Sequence, residues 1–420
     1  MDRQDGARPC AMDHFMTAAT CPSLPAYVPE QTTETRLSVE IIRCFDKARP
    51  LIERLSLAGM ATPYQSAAFI GEYSATVDAP LGRRFVCIAL KDGQGEVQLL
   101  LPLSLKRIGP VTVAEFVGGK HSNYNLPLLG SGAGHLTAAS LKAALTEAGR
   151  KAGIDAYALV NQPERWEGTA NPLRLLGGQP SPSNGYRLTL DPDGERLINA
   201  RLSKDALRKL RQKQSRLATL GAVSHRRAET DAEAHRLMQT FFRLKAASFK
   251  IKGITDPFES ETVRSFLERG CTLRPGETRP MIEMHGLYVD DRPVAIFGGL
   301  ADHRRFCGLI VAFDPDPEIA RNSPGELLLI SLIRQCCERG LASFDLGVGE
   351  ARYKDRFCDE ADVLFDTVLP VTAAGWMVGR AQAYYQQVKR WAKQSALGQS
   401  LIARFRKVRA FSSEVDSGSR

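Results

Sequence analysis

Between Phe344 and Cys358 the sequence reads FDLGVGEARYKDRFC, which sets Asp345, Tyr353 and Lys354 around Gly347 and Gly349. A carboxylate can take a proton or orient a nucleophile, a phenol is a neutral donor at neutral pH, and an ammonium stabilises developing negative charge. The apolar run ahead of them reads as a strand, so the three groups fall at its carboxyl end, where open α/β sheets place ligands. From spacing alone the plainer reading is favoured, in which Asp345 caps a turn and Lys354 stands in solvent. A dinucleotide turn is excluded: the third position of G-x-G-x-x-G is Arg352, and no acidic residue sits on a convincing second strand about 20 residues later.

A second candidate is RNSPGELLL, residues 321–329. Ser323, Pro324 and Glu326 predict a sharp helix start with an S-x-x-E capping box. The same free N–H groups favour a phosphate, which Glu326 would repel, so both readings stand. His121, Asn123 and Tyr124 share a glycine-rich loop and could hydrogen-bond a polar ligand, although a lone loop histidine is more often solvated. Lys250 and Lys252, in FKIKG, are cations that could reach an anionic acceptor. His285 and His303 read as sheet-surface residues. No HExxH, GxSxG or GxxxxGK[ST] occurs, which removes the usual zinc-protease, α/β-hydrolase and P-loop readings. The nine cysteines lack CxxC or paired metal spacing, so no metal and no disulfide framework is expected. Cys336 and Cys337 read as helix core in a reducing cytoplasm.

The elements that must position these groups occur twice. RRFVCIAL, EVQLLLPLSLKR and VTVAEFV are three strands, followed by a glycine-rich loop, a helix over about 136–152 and the strand IDAYALV. MIEMHGLYV, VAIFGGLA and RRFCGLIVAF repeat the order, with a helix over 324–339 and the strand ASFDLG. The repetition predicts a duplicated mixed α/β unit, the first over 36–190 and the second over 222–372. Residues 1–35 read as a disordered lead. Residues 191–221 read as a basic amphipathic linker helix with apolar positions at 202, 207, 210 and 217.

The net charge of +9 is concentrated in two segments. Residues 196–227 hold ten Lys/Arg against Asp205 alone, and 376–410 hold eight with no acid, so the remainder is net acidic. The basic helix could contact phosphates, although a charge run is usually a solvated face. In 373–420 the apolar residues approximate helical spacing, which fits either an interfacial anchor on anionic lipid at 376–410 or a docked helix with a basic outer side. No signal-peptide core opens the chain, and no apolar run is long enough to span a bilayer.

Taken together, SPGELLL at 323–329 and FDLGVGEARYKDRF at 344–357 resemble the GNAT acyltransferase superfamily, and within it the BioF-like acetyltransferase domain of CelD-type cellulose or exopolysaccharide biosynthesis proteins. TPYQSAAF (62–69), LLPLSL (100–105), VGGKHSNYNLPLL (117–129) and LSKDALRKLRQKQSRL (202–217) are similar to the group's earlier landmarks, so the resemblance spans about 62–370. Where that group commonly has Asp before the loop Tyr, this chain has Asn123. The resemblance implies tandem GNAT-like domains, a cytoplasmic location, and acetyl-CoA or another acyl-CoA as donor. The donor pyrophosphate would lie on Arg321, Asn322, Ser323, Gly325 and Leu327, although Gly325 comes one position late for the usual GNAT loop and Leu327 replaces a small residue. It implies an N- or O-acyltransferase acting on an anionic or sugar-linked precursor of surface polysaccharide or envelope. Asp345 would be base or substrate-orienting group, Lys354 would stabilise negative charge, and Tyr353 would protonate the thiolate. Two other readings stay open. One is an aminoacyl-tRNA-dependent peptidyltransferase of the cell-wall type, with the basic helix holding RNA; the other is a degenerate scaffold anchored at the membrane by the tail.

Overall fold

The computed structural model describes residues 37–58, 61–274 and 276–395, so the lead 1–35 and the tail beyond 395 lie outside them. The first half runs β1 (Ser38–Ile42), α1 (Phe45–Ala58), α2 (Ala67–Tyr73), β2 (Arg84–Lys91), β3 (Val97–Ile108), β4 (Val111–Phe116), α3 (Ala138–Ala152) and β5 (Ala156–Pro163). Strand β6 (Gly185–Thr189) and helices α4 (Gly194–Arg201) and α5 (Lys204–Ala218) lead into the second half. There β7 (Val223–Arg227), α6 (Asp231–Ile251), α7 (Glu261–Gly270), β8 (Ile282–Val289), β9 (Arg292–Ala301), β10 (Arg305–Phe313), α8 (Pro324–Glu338) and β11 (Ser343–Val348) repeat the order. Helix α9 (Arg352–Phe357), strand β12 (Leu364–Pro370) and helix α10 (Ala373–Gln394) follow.

Each half builds a mixed sheet, antiparallel through its hairpins and parallel where a helix crosses over. The first nine residues of β3 are buried, which is why its sequence is largely apolar on both faces rather than alternating. The halves also exchange a strand. β6, leaving the first half, pairs antiparallel with β11 in the second sheet, and β12, leaving the second half, pairs antiparallel with β5 in the first.

Three local expectations are corrected. The basic linker is two helices, because the Ser203 hydroxyl accepts from Ala206 N–H and starts α5 afresh, while Leu202, Leu210 and Leu217 turn inward. At the start of α8 no capping box forms: Ser323 lies in the left-handed region (φ 50°) and makes no side-chain cap. A cation from α5 has drawn its hydroxyl away, since Lys213 Nζ donates to Ser323 Oγ at 2.8 Å. His285 is core and not sheet surface. It is fully buried between Glu283, 3.7 Å from Nε2, and His225, whose Nε2 lies 3.2 Å from His285 Nδ1.

Candidate functional site

In both halves the parallel strand pair holds for a few residues and then parts. β4 and β5 are paired only at Val113–Ala156 and Ala114–Tyr157. β10 and β11 are paired from Arg305–Ser343 to Cys307–Asp345, after which β10 continues along β9 to Phe313 and β11 continues along β6 to Val348. Each split leaves backbone groups without a ladder partner, and those groups must be satisfied by something else.

In the second half that partner comes from the first. Asn123 Nδ2 donates to the Gly308 carbonyl (3.0 Å) and to the Tyr64 hydroxyl (2.7 Å), while its Oδ1 accepts from Val348 N–H at 3.5 Å. An amide spans a carbonyl on one strand and an N–H on the other; a carboxylate could serve only the second. An asparagine at 123 therefore has a local reason.

Beneath Asn123, Asp345 and Lys354 converge on one peptide. Asp345 Oδ1 accepts from Gly347 N–H at 2.6 Å, and Lys354 Nζ donates to the Gly347 carbonyl (3.1 Å) and the Val348 carbonyl (3.4 Å). Gly347 has φ 75°, and a Cβ there would lie 2.7 Å from Asn123 Nδ2, so glycine is required on two counts. Burial pushes the Asp345 carboxyl up to about 7, against the Gly347 N–H, Arg305 and the Tyr124 hydroxyl. Burial also lowers the Lys354 ammonium, which Asp345 partly offsets and the Tyr186 ring, 5.4 Å away, supports. Lys354 is thus neither solvated nor open to a ligand on all sides; it clamps the turn that ends β11. Lys354→Met should lower the unfolding free energy by about 2 kcal/mol, because two buried carbonyls lose their donor. A denaturant midpoint equal to that of the wild type would show that the clamp contributes nothing.

The split of the first half opens instead into a cleft of about 610 Å3 at the junction of the halves. β4 and β5 supply Glu115 and Asn161, the loop supplies His121 and Asn123, β11 supplies Val348, and α10 supplies Lys389. His121 Nδ1 lies 2.9 Å from the Tyr73 hydroxyl on α2, and burial keeps that phenol well above its ordinary pKa and so protonated. Arg83 and Lys106 stand 3.6 and 3.7 Å from Glu115, and with Lys389 they leave the cleft lining polar and net positive.

The residues expected to bear on function are therefore spread over several places. His121 lines the cleft, whereas Tyr124 is fully buried under it, with its hydroxyl toward Asp345 and Asp362. Asp345 and Lys354 touch the turn behind Val348 and not the cleft. Tyr353 lies in α9, and its side chain is outside the described set. Lys250 and Lys252 close the end of α6, exposed and away from the cleft lining. In the α8 loop Arg321 is exposed, Asn322 is buried and donates to the Glu318 carbonyl, and Leu327 faces the core beneath α4 and α5. Two cations there had no signal in the local motif: Lys213 at 3.6 Å and Arg356 at 3.0 Å both pair with Glu326 beside Ser323 and Gly325. Tyr64, inside the TPYQSAAF stretch, and Tyr73, four residues beyond it, carry no functional signal in the local sequence.

Residues 204–355 match the acetyltransferase (GNAT) domain. The matched stretch begins with α5 and ends inside α9, so it takes in the second split, Asp345, Lys354 and the α8 loop, while His121 and Asn123 come from outside it. Among solved structures, FemX superposes with a TM-score of 0.55 at 11% identity, covering 82% of this chain and all of that one. A conserved protein of unknown function from Bacteroides thetaiotaomicron gives 0.50 at 12% identity, covering 79% of this chain and all of that one. At such identity these likenesses bear on the fold alone, and the shared fold runs over about four-fifths of this chain, both halves included. No curated protein matches the chain.

Proposed function

We propose that the protein is an acyl-CoA-dependent N- or O-acyltransferase whose donor lies along the β10–β11 split and whose acceptor enters the cleft of the first half. The reading rests above all on one observation: Val348 and Asn123 close the GNAT-domain split on one side and line the acceptor cleft on the other. The donor's reactive end and the acceptor's nucleophile would meet at that rim.

The residues at the α8 start fit a pyrophosphate in part. Lys213 and Arg356 supply positive charge and Gly325 leaves the backbone open, but a phosphate must displace the Glu326 carboxylate that both cations now hold. A pantetheine arm in the split would take over the backbone groups that Asn123 now satisfies.

In the transfer, the acceptor's amine or hydroxyl attacks the thioester carbonyl, and its proton passes to His121. The C–S bond then breaks, and the leaving thiolate takes a proton, for which Tyr353 is the candidate donor. Tyr73, whose hydroxyl lies 2.9 Å from Nδ1, orients the His121 ring for that base step. Asp345 and Lys354 are positioning residues here: they fix the Gly347–Val348 turn and hence the rim. Arg83, Lys106, Asn125, Asn161, Ser183 and Lys389 around the cleft suit a hydroxyl-rich acceptor with some negative charge, consistent with a sugar-linked envelope or surface-polysaccharide precursor.

Acetyl-CoA at a hundredfold over its dissociation constant should stabilise the full chain by about 2.7 kcal/mol, read as a rise in Tm. Free thiol should then appear when aminated or hydroxylated sugar acceptors are added. No stabilisation at millimolar acetyl-CoA, together with a steeply salt-dependent affinity for tRNA, would replace this reading with an aminoacyl-tRNA-dependent one.

A further inference from the structure

Helix α10 has two dissimilar faces, and among the described residues only one is packed. Its inner face lies close against the first sheet. A Cβ at Gly375 would run into the Asp155 carbonyl and one at Gly379 into Val368, and Ala374 and Val378 pack on Val111, Val113 and Ala158. Gln179 donates to the Ala383 carbonyl and accepts from Gln387, which locks the rotation of the helix. This docking leaves Trp376, Arg380, Tyr384 and Val388, four residues apart, and Trp391, three further on, as one outward stripe.

Along that stripe Trp376 is 53%, Tyr384 68% and Trp391 51% exposed, with Met377 and Tyr385 exposed beside it. So many large exposed apolar side chains on one helix mark an interaction surface and not chance exposure. What covers it follows from charge and residue type. From Ala373 to Gln394 the helix carries no acid, and Arg380 stands on the stripe itself, whereas Lys389 lines the cleft. Amphipathic rings with a polar tip, set around an arginine with no acid on the helix, match the headgroup level of a bilayer bearing negative charge. Among the described residues no helix is long and apolar enough to cross a membrane, so contact through this helix would be at the surface.

We propose that the outer face of α10 is a membrane-interface surface that lies on anionic lipid, with Trp376, Tyr384 and Trp391 inserted at the headgroup level and Arg380 at the phosphates. The proposal goes beyond the transferase reading and does not rest on it.

The test uses the full chain and vesicles of phosphatidylcholine with and without phosphatidylglycerol. Co-sedimentation should occur with the anionic vesicles and weaken as salt rises. Tryptophan emission should shift to the blue, since Trp376 and Trp391 are exposed whereas Trp166 is already buried. Replacing Trp376, Tyr384 and Trp391 together by Ser should weaken vesicle affinity at least tenfold without changing Tm, and Trp391→Ser alone should weaken it severalfold. Three results would overturn the proposal: equal binding by the triple variant, no binding by the wild type, or a dimer in light scattering that the triple variant abolishes. The last would make a second copy of this chain the occupant.

Discussion

His121→Gln is expected to lower turnover under saturating acceptor by about two to four orders of magnitude, the range that a positioned general base supplies. Glutamine can keep a hydrogen bond to the Tyr73 hydroxyl, which sits 2.9 Å from His121 Nδ1, so the cleft should hold its shape. What it cannot do is take a proton from the attacking group. Acetyl-CoA stabilisation should therefore be unchanged while thiol release falls, and exogenous imidazole should restore part of the rate. Tyr73→Phe should cost less, because it removes the oxygen that orients the ring and not the proton acceptor itself. Full activity in His121→Gln would move the base elsewhere, and the split between donor and acceptor sites argued above would lose its support.

Glu283→Gln should cost about 3–5 kcal/mol of stability, the loss expected when one partner of a buried ion pair is removed. The Glu283 carboxylate is almost wholly buried and receives both guanidinium arms of Arg339, at 2.8 and 2.9 Å. Burial alone would raise its pKa, but the bonds from His285 and Arg339 bring it down to about 2 from an ordinary 4.5. A depressed carboxyl contributes stability above its unfolded pKa and loses it on acidification. Wild-type protein should thus lose about 3 kcal/mol as pH falls from roughly 4.5 towards 2, a slope absent from Glu283→Gln. His225 works in the same direction at higher pH. Burial and the neighbouring His285 lower it from 6.5 to about 4, so its contribution falls as pH drops through that interval. Denaturant midpoints measured from pH 7 downward should show both slopes; coincident curves for variant and wild type would mean that the Arg339 pair adds nothing.

The duplicated element order was legible because each half alternates apolar runs with glycine-rich turns at the same intervals, and local pattern decides element type. The clustering of Asp345 with Lys354 was legible too, since both flank Gly347 in sequence. Their targets were not. A left-handed glycine reverses the chain between them, so both side chains meet at the backbone of that glycine. Asn123 reaches Val348 across 225 positions, and no local spacing encodes such a contact. At Ser323 the local signal was sound but lost to a tertiary competitor, Lys213, which offers the hydroxyl a charge-assisted bond in place of a cap. His285 misled for a related reason: an alternating hairpin has a wet face only where no helix covers it, and α6 and α8 pack on β8.

The exchanged strands also decide when this protein can finish folding. β5 waits for β12, whose last residue is Pro370, and β11 takes β6, which was synthesised long before it. A nascent chain released or stalled before Pro370 would carry an open strand edge in its first sheet, the kind of edge that recruits other chains. The second sheet, for its part, depends on a strand made before its own first helix. Neither sheet is a unit that the ribosome can complete and set aside, so vulnerability to aggregation should be concentrated in the interval between the emergence of β5 and that of β12.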